Sequence, residues 1–577
     1  MTNDQITQIF EEFADRLELS GESSFKTRAF RTFAKTVAGL TEPLEDVVAR
    51  GALGDLPGVG KGITALVAEL LAKGTFEDLE RTRAEIPDGV LDLMKVPGLG
   101  PKGVRTLWQS AGITTLGELA YACEENRLAA LPGFGKKKQA KIFEAVLAAM
   151  EGSQKLLLAV AKDLGAVVEE TLAESGATRT AVVGATRRGA PVVDAIVVLC
   201  EGLDKDGVAT ALRLRAADLA LRTLSFATET GSEGEGVTFD VHGGGRGRVR
   251  IVAPEAWVAT LLAETGSDEH VRGLEARAKE LGTSLADVAR EARDETAVYA
   301  RLRMSETPPE LREARASDVP PKLVAERAVR GVFHVHTDWS DGYSSIVEMA
   351  KAAEEAGFTY LGISDHSQAA SYANGLSSDR LADQAAAIQA ARAEVPGVRL
   401  FHGIEVDILG DGSLDLPDET LASLDFVIAS VHSKFAMTEE EMTARIVRAV
   451  SHPLVTVLGH PTGRLLLGRK GYTFDLVQVA RAAAANDTYL EINANPHRLD
   501  LSDDMVRTAA KEGARFAINP DAHAMRGIKD TFLGLTVARR AGLEASQILN
   551  VIAPEAMADT LLARKNAALG RLKSTRT

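Results

Sequence analysis

Seven short apolar runs in the region after residue 330 end in side chains that can bind a metal ion. They are GVFHVH, YLGISDH, LFHGIEVDI, FVIASVH, VTVLGHP, YLEINANP and RFAINPDAH. The stretches between them, such as SIVEMAKAAEEAGF and LVQVARAAAAN, have helical spacing. Strands that alternate regularly with helices favour a parallel barrel, with the strands inside and the helices outside. No other feature of the chain restricts its fold as strongly.

The same runs indicate where a functional site would lie. Residues i and i+2 of a strand project from one face, so His334 and His336 can reach one metal ion or two adjacent ions. Active sites of barrels lie at the carboxyl ends of the strands, which is where these side chains fall. Nine of the eleven histidines lie after residue 330. The pattern therefore predicts a metal site at this end of the barrel.

Three similar turns occur in the first 150 residues, as LPGVGKGI, VPGLGPKGV and LPGFGKKK. Each is a glycine turn that opens a helix with a lysine in its first turn. Glycine permits positive φ and close approach of a ligand, and the exposed N–H groups of a helix start favour an anion. We interpret them as helix-hairpin-helix turns that hold a nucleic-acid backbone without reading its sequence. The predicted contacts are Gly58, Gly60, Lys61, Gly98, Gly100, Lys102, Gly133, Gly135 and Lys136.

Composition excludes several classes of protein. A formal net charge of −15 argues against a broadly basic surface, although local phosphate-binding turns are compatible with it. The two cysteines, Cys123 and Cys200, form no CxxC motif, which fits a reducing cytoplasm. The chain opens with an acidic amphipathic helix and contains no apolar run long enough to span a bilayer. We expect a cytoplasmic protein without a membrane partner.

The motifs together resemble those of bacterial family X DNA polymerases that carry a C-terminal PHP (polymerase and histidinol phosphatase) domain. The resemblance covers essentially the whole chain and includes the helix-hairpin-helix turns, GATRRG, TGSDEH, ETAVYARL, PPELRE and the histidine-rich runs. It implies a multidomain chain with an α-helical N-terminal region, an α+β nucleotidyltransferase-like palm and thumb, and a distorted (β/α)7 barrel. The expected boundaries are 1–80 and 81–150 for two helical DNA-binding domains, 151–245 for the palm, 246–305 for the thumb, 306–325 for a linker and 326–577 for the PHP domain.

The resemblance weakens in the palm, where the family has a Gly-Ser pair, an Arg-Arg pair and three aspartates that hold two cations. Gly184, Arg187 and Arg188 match, and Asp194 matches the first aspartate. Alanine replaces the serine.

The second aspartate aligns with Ile196 and the third with Arg248, with Asp240 as the best substitute for the third. Two divalent ions need several carboxylates close together. An arginine about 4 Å from a cation is repelled, by roughly 4 kcal/mol per unit charge. We therefore expect a degenerate polymerase site with little place for Mg or Mn.

The barrel, in contrast, matches every metal ligand of the family. The resemblance implies up to three divalent ions of Mn, Zn or Fe, and a hydroxide held by them that attacks the phosphorus at a DNA 3′ end. The implied ligands are His334, His336, Asp341, His366, Glu405, His432, His460, Asp521 and His523. Arg464, Arg469 and Lys470 are candidate phosphate contacts.

The other histidines and acids of this region lie outside the ligand pattern. We expect His402, His452 and His497 to be structural histidines. Glu491 and Asn493 stand at the right strand end but have no ligand counterpart, so a supporting or substrate-binding role is a hypothesis.

The leading functional hypothesis is a monomeric DNA-repair exonuclease or 3′ phosphatase, associated with the bacterial nucleoid, that acts on gapped or recessed DNA. A working gap-filling polymerase, a non-catalytic DNA-binding scaffold and a small-molecule phosphatase are the alternatives. The phosphatase would not need three phosphate-binding turns.

Overall fold

The computed structural model describes residues 1–129, 131–150, 155–215, 221–223, 236–241, 245–313 and 321–575. The chain divides into two compact units, Met1–Ala149 and Met150–Thr577. Each unit has hydrophobic cores of its own.

The first unit is helical and is built around an aromatic core. Phe10, Phe13, Phe33 and Phe76 are almost fully buried and lie in contact with one another. The first helix begins after Thr2, whose hydroxyl accepts a hydrogen bond from the backbone N–H of Gln5. The helices are α1 Asn3–Ser20, α2 Ser24–Ala38, α3 Leu44–Ala49, α4 Lys61–Lys73, α5 Glu77–Glu85, α6 Asp88–Leu93, α7 Pro101–Ala111, α8 Leu116–Glu124 and α9 Lys136–Met150.

The second unit opens with a mixed α+β region at the position of the predicted palm and thumb. Its five-stranded sheet has the order β2-β4-β7-β6-β5, and β1 and β3 pair separately. Its elements are β1 Leu156–Leu157, α10 Leu158–Glu174, β2 Arg179–Val183, α11 Gly184–Arg188, β3 Val192–Val193, β4 Ala195–Glu201, α12 Lys205–Leu214, β5 Leu221–Thr223, β6 Gly236–Val241, β7 Arg246–Ile251, α13 Trp257–Thr265, α14 Asp268–Glu280, α15 Leu285–Arg290 and α16 Glu295–Arg301.

The two faces of β4 are buried against different helices. Ile196 and Val198 pack in one core with residues of α10 and α12. Leu199 packs in another core with Leu262 of α13 and Val298 of α16. This alternation is the period of a strand that is covered on both faces.

The rest of the unit is a seven-stranded parallel sheet of order β14-β13-β12-β11-β10-β9-β8. A parallel bridge between Val335 and Ala522 joins its two edges, so the barrel is almost closed. Its elements are β8 Gly331–Val332, α17 Ile346–Glu355, β9 Tyr360–Ile363, α18 Ser378–Glu394, β10 Arg399–Asp407, α19 Asp418–Ser423, β11 Phe426–Ser430, α20 Glu439–Val450, β12 Val457–Leu458, α21 Leu476–Asn486, β13 Tyr489–Asn493, α22 Asp503–Lys511, β14 Phe516–Asn519, α23 Thr531–Arg540 and α24 Pro554–Thr575. The predicted fold class, a helical N-terminal region followed by a (β/α)7 barrel, is confirmed.

Aromatic rings pack together in one core of the barrel. Phe333, Tyr360 and Phe426 are buried against one another, and Met557 of α24 joins the same cluster. A side chain at Gly403 would approach the Phe426 ring to 2.3 Å, so glycine is needed there. The core is therefore filled with side chains and leaves the strand ends to build the site.

In the described part of the chain, no helix combines the length and the apolar character that a membrane span needs.

Candidate metal centre

The nine side chains implied as metal ligands lie close together at the carboxyl ends of the barrel strands. They form four overlapping groups, and within each group the potential ligand atoms lie within 4.8 Å of one another. The groups are His336, Asp341, His366 and His523; His334, Glu405 and His460; His334, His336 and Asp521; and His366, Glu405 and His432. Within the described residues, every such group lies in the barrel.

Glu405 is the central acid of the cluster. Its carboxylate oxygens lie 3.2 Å from Nε2 of His334, 3.2 Å from Nε2 of His432, 3.0 Å from Nε2 of His460 and 2.9 Å from Nδ1 of His366. A carboxylate with imidazoles on both oxygens is suited to join two neighbouring cation positions.

His336 stands at the centre of the other half of the cluster. Its ring stacks on that of His523, with centroids 4.2 Å apart, and its Nε2 lies 3.3 Å from the Asp521 carboxylate. Asp341 lies 3.6 Å from His366 and 3.4 Å from His523. The two halves share His334 and His366, so they form one continuous site.

The chemistry of these donors fits divalent cations. Several of their nitrogen and oxygen atoms are buried and have no hydrogen-bond partner among the residues that the structure describes, at a substantial energetic cost. They include both ring nitrogens of His336, Nε2 of His334, Nδ1 of His460 and one oxygen each of Asp341 and Glu405. Imidazole and carboxylate without thiolate suit Mn, Zn or Fe, and bound cations would satisfy these atoms.

Electrostatics keep His336 and Glu405 in forms that can bind metal, whereas neighbouring negative charges outweigh burial and raise the pKa of His334 and that of His432, whose rings must lose a proton to bind a cation. Burial, together with the neighbouring His523 and His366, lowers the pKa of His336 to about 3, so its ring is neutral near pH 7. Burial alone would raise the pKa of Glu405, but the charges of His432 and His334 outweigh it and hold that pKa well below its usual range. A neutral imidazole beside an ionised carboxylate is the protonation state that metal binding requires.

Two further acids orient the histidines. Oε1 of Glu491 lies 2.8 Å from Nδ1 of His334, and its other oxygen accepts a 2.7 Å hydrogen bond from the backbone N–H of His460. Oδ1 of Asp407 lies 2.7 Å from Nδ1 of His432. An outer carboxylate of this kind fixes the tautomer and the angle of an imidazole.

Sequence reasoning left the role of Glu491 open and passed over Asp407. The available signal for Asp407 was its spacing, because it stands two residues after Glu405 on the same strand face.

Asp365 is a third supporting acid that the motif analysis missed. Its buried carboxylate accepts hydrogen bonds from the backbone and hydroxyl of Thr337, from Ser340 and from Gln384. These contacts fix the turn that carries Asp341. The only sequence signal is its position directly before His366.

The predicted phosphate contacts have different surroundings. The Arg464 guanidinium donates to the backbone carbonyls of Arg498 and Leu499. Arg469 stacks over the Phe435 ring at 4.7 Å and donates to the carbonyl of Gly463. Lys470 is exposed. Contact of Arg464, Arg469 and Lys470 with phosphate remains a prediction.

The histidines outside the ligand pattern have partners outside the cluster. Nε2 of His402 lies 3.2 Å from Oε1 of Gln384, and Nε2 of His452 lies 3.2 Å from Oδ1 of Asp418. The backbone N–H of His497 donates to Asn495. These contacts agree with a structural role.

The three glycine turns have the geometry expected of helix-hairpin-helix motifs. Gly58, Gly98 and Gly133 have φ of +86°, +86° and +82°, a region that favours glycine. The helices that follow begin at Lys61, Pro101 and Lys136. The predicted contacts Gly60, Lys61, Gly100, Lys102, Gly135 and Lys136 are exposed, as a surface for an anion requires.

Both arginines of the palm motif are partly buried and form ion pairs. Arg187 lies 2.6 Å from Glu295, which also pairs with the buried Arg312. Arg188 lies 3.0 Å from Glu313. Gly184 has φ of +69° at the turn before them. These contacts tie the turn to neighbouring elements.

The strand register of the palm decides which residues share a face. Arg246 pairs with Ala195, and Arg248 pairs with Val197. Paired residues of neighbouring strands project from the same face, so a carboxylate able to share a cation with position 248 would stand at 195 or 197 of β4, or at 238 or 240 of β6. Ile196, the position aligned with the second aspartate, points into the opposite core and does not share a face with Arg248.

Two acids of the described palm, Asp194 and Asp240, were candidates for cation binding. The Asp194 side chain is 85% exposed, and its nearest cation is Lys155 at 3.9 Å. Asp240, the predicted substitute, pairs with Arg246 across the sheet. In the described part of the palm, no cluster of three metal-binding side chains forms.

Known proteins resemble the chain along almost its whole length. A protein of Bacillus subtilis, "DNA polymerase/3'-5' exonuclease PolX", is 33% identical over 565 residues, which cover 95% of this chain and 97% of the relative. The chain belongs to the bacterial PolX family. Family models also match in order along the chain: a helix-hairpin-helix domain at 1–76, a SAM-like helix-hairpin-helix tandem at 90–146 and a PHP domain at 333–495.

Shorter relatives of this PolX member match part of the chain. A probable phosphatase of Acetivibrio thermocellus is 30% identical over 202 residues, which cover 33% of this chain and 78% of the relative. A probable phosphatase of Syntrophotalea carbinolica is 32% identical over 163 residues, which cover 27% of this chain and 65% of the relative.

Proposed function

We propose that this chain is a metal-dependent 3′→5′ exonuclease or 3′-end phosphoesterase that acts on gapped or recessed DNA, and that its palm no longer extends primers. The convergence of nine imidazoles and carboxylates at one end of the barrel carries this proposal. The helix-hairpin-helix turns would hold the DNA backbone. The name of the Bacillus relative and those of the probable phosphatases support phosphoester chemistry.

The cations would be held by His334, His336, Asp341, His366, Glu405, His432, His460, Asp521 and His523. Bound divalent cations would supply charge neutralisation for a phosphoryl group and a lowered pKa for water. Glu491 and Asp407 hold the imidazoles of His334 and His432 in place, and Asp365 holds the turn of Asp341. The arrangement is suited to phosphoester hydrolysis because a rigid set of ligands needs no rearrangement during reaction.

Loss of polymerase activity is supported by the palm face that carries Arg246 and Arg248. Its neighbours on β4 are Ala195 and Val197, which cannot bind a cation, and Asp240 of β6 stands opposite Arg246. A gap-filling polymerase is the second candidate, because the name of the Bacillus relative includes the words DNA polymerase.

One labelled gapped duplex, incubated with Mn²⁺ with and without dNTP, tests both proposals. We expect the 3′ end to shorten and no product longer than the primer to form. His336→Ala and Asp521→Ala should slow shortening by about 100-fold or more, since even outer residues of metal sites contribute 10- to 100-fold. His452→Gln, a histidine outside the cluster, is the matched control. Equal rates for parent and the two cluster variants would refute the nuclease proposal, and extension would refute loss of synthesis.

A further inference from the structure

Arg498 lies against the candidate metal centre, although the sequence predicts it neither as a metal ligand nor as a phosphate contact. Only 7% of its surface is exposed. Its Nε lies 3.3 Å from Oδ2 of Asp521, and the other oxygen of Asp521 lies 3.3 Å from Nε2 of His336. One carboxylate thus stands between this guanidinium and the imidazoles.

The backbone around Arg498 is fixed by the segment that carries His460. Arg464 donates through Nε to the Arg498 carbonyl at 2.9 Å and through Nη2 to the Leu499 carbonyl. The buried Asp500 accepts 3.0 Å hydrogen bonds from the backbone N–H groups of Thr462 and Gly463. The Arg498 side chain therefore starts from a rigid position beside the cluster, which reduces the entropy lost on binding a ligand.

Charge explains why an arginine at this place points to an anionic ligand. A guanidinium stays protonated even when it is buried, so it is repelled by divalent cations bound nearby. Asp521 is expected to neutralise such cations and is shared with Arg498. A phosphoryl group on the cations would add negative charge on this side of the site. Arginine presents a planar fork of donors that fits two phosphate oxygens.

We propose that Arg498 is a substrate-binding residue of the barrel site, which holds the phosphate of the DNA 3′ end and keeps Asp521 in position. This inference rests on the proposed function. It assigns to Arg498 the phosphate contact that the sequence suggested for Arg464. The Arg464 guanidinium instead donates hydrogen bonds to the backbone of the Arg498 loop.

The test uses the full-length protein loaded with Mn²⁺, and inorganic phosphate as the probe. Arg498→Gln and Arg498→Lys are compared with Arg448→Gln, an exposed arginine paired with Asp411 on the outer helix α20. Metal content, phosphate affinity by calorimetry, and kcat and KM for 3′-end hydrolysis are measured. Arg498→Lys keeps the charge without the fork and serves if Arg498→Gln does not fold.

We expect Arg498→Gln to retain its metal, to bind phosphate about 10- to 100-fold more weakly, and to raise KM similarly, which is the loss of one or two charged hydrogen bonds. Arg498→Lys should fall between Arg498→Gln and the parent, and Arg448→Gln should match the parent. Unchanged phosphate affinity and KM would overturn the inference. Loss of metal from both Arg498 variants would also overturn it, by assigning Arg498 a purely structural role.

Different results would overturn the nuclease proposal and the Arg498 proposal. A parent protein that holds no metal would overturn both. A parent that binds metal and phosphate but does not hydrolyse DNA would overturn the nuclease proposal alone, because phosphate affinity would still report on Arg498.

Discussion

Oε1 of Glu491 lies 2.8 Å from Nδ1 of His334, and both side chains are completely buried. The same carboxylate accepts hydrogen bonds from Asn493, Asn519 and the backbone of His460. Four donors on two oxygens fix the orientation of this acid, and through it that of His334.

Glu491→Gln should therefore weaken metal binding by about 10- to 100-fold. A glutamine offers one acceptor oxygen where the glutamate offers two, and it lacks the charge that strengthens the His334 contact. Titration of the metal-free protein with Mn²⁺ measures the change. Glu440→Gln, on the exposed start of α20, is the control. An unchanged Mn²⁺ affinity would show that Glu491 does not orient His334.

Lys102→Gln should reduce DNA affinity equally for all sequences. The slope of log binding constant against log salt concentration should become shallower by about one, as expected for loss of one phosphate contact. Lys102 is exposed in the first turn of α7, directly after the turn formed by Gly98 and Gly100. Binding of a gapped duplex at several salt concentrations provides the measurement. Lys73→Gln, at the far end of α4, should leave the slope unchanged. If both variants behave alike, this turn is not a phosphate contact.

Glu295→Gln should destabilise the second unit by about 3 to 5 kcal/mol, because it leaves the buried guanidinium of Arg312 and the partly buried one of Arg187 without their shared acid. Glu295 is 7% exposed and pairs with Arg187 and Arg312. Denaturant unfolding followed by tryptophan fluorescence measures the loss, with Glu255→Gln on the exposed surface as the control. A change below about 1 kcal/mol, the range of surface ion pairs, would contradict the buried-pair interpretation.

The barrel should lose stability in mild acid through His402. Burial lowers the pKa of this histidine to about 4, whereas an unfolded histidine titrates near 6.5. The unfolded chain therefore binds the proton first, so this contribution is complete above pH 6.5 and falls by roughly 3 kcal/mol as the pH drops to 4.

His402→Gln should remove that part of the pH dependence. The comparison is the free energy of unfolding of parent and variant at pH 7.5, 6 and 5. Parallel pH profiles would mean that His402 does not keep a lowered pKa in the folded chain.

The sequence was sufficient for the fold class and for the convergence of the ligand residues. A parallel barrel places all strand ends at one mouth, so finding each histidine or acid at the end of an apolar run was enough to predict that they meet. The glycine turns could also be predicted from the local sequence, because a positive φ at Gly58, Gly98 and Gly133 depends mainly on the residue itself.

Only the tertiary structure decided the supporting contacts and the pairing of the palm strands. Arg498 meets Asp521 between two consecutive strands, and Glu491 meets His334 across strands far apart in the chain; no local pattern encodes such partners. Arg248 lies beside Val197 rather than Ile196, because hydrogen bonding between strands sets the register. Successive side chains of a strand project from opposite faces of the sheet, so a shift of one position moves every side chain to the opposite face.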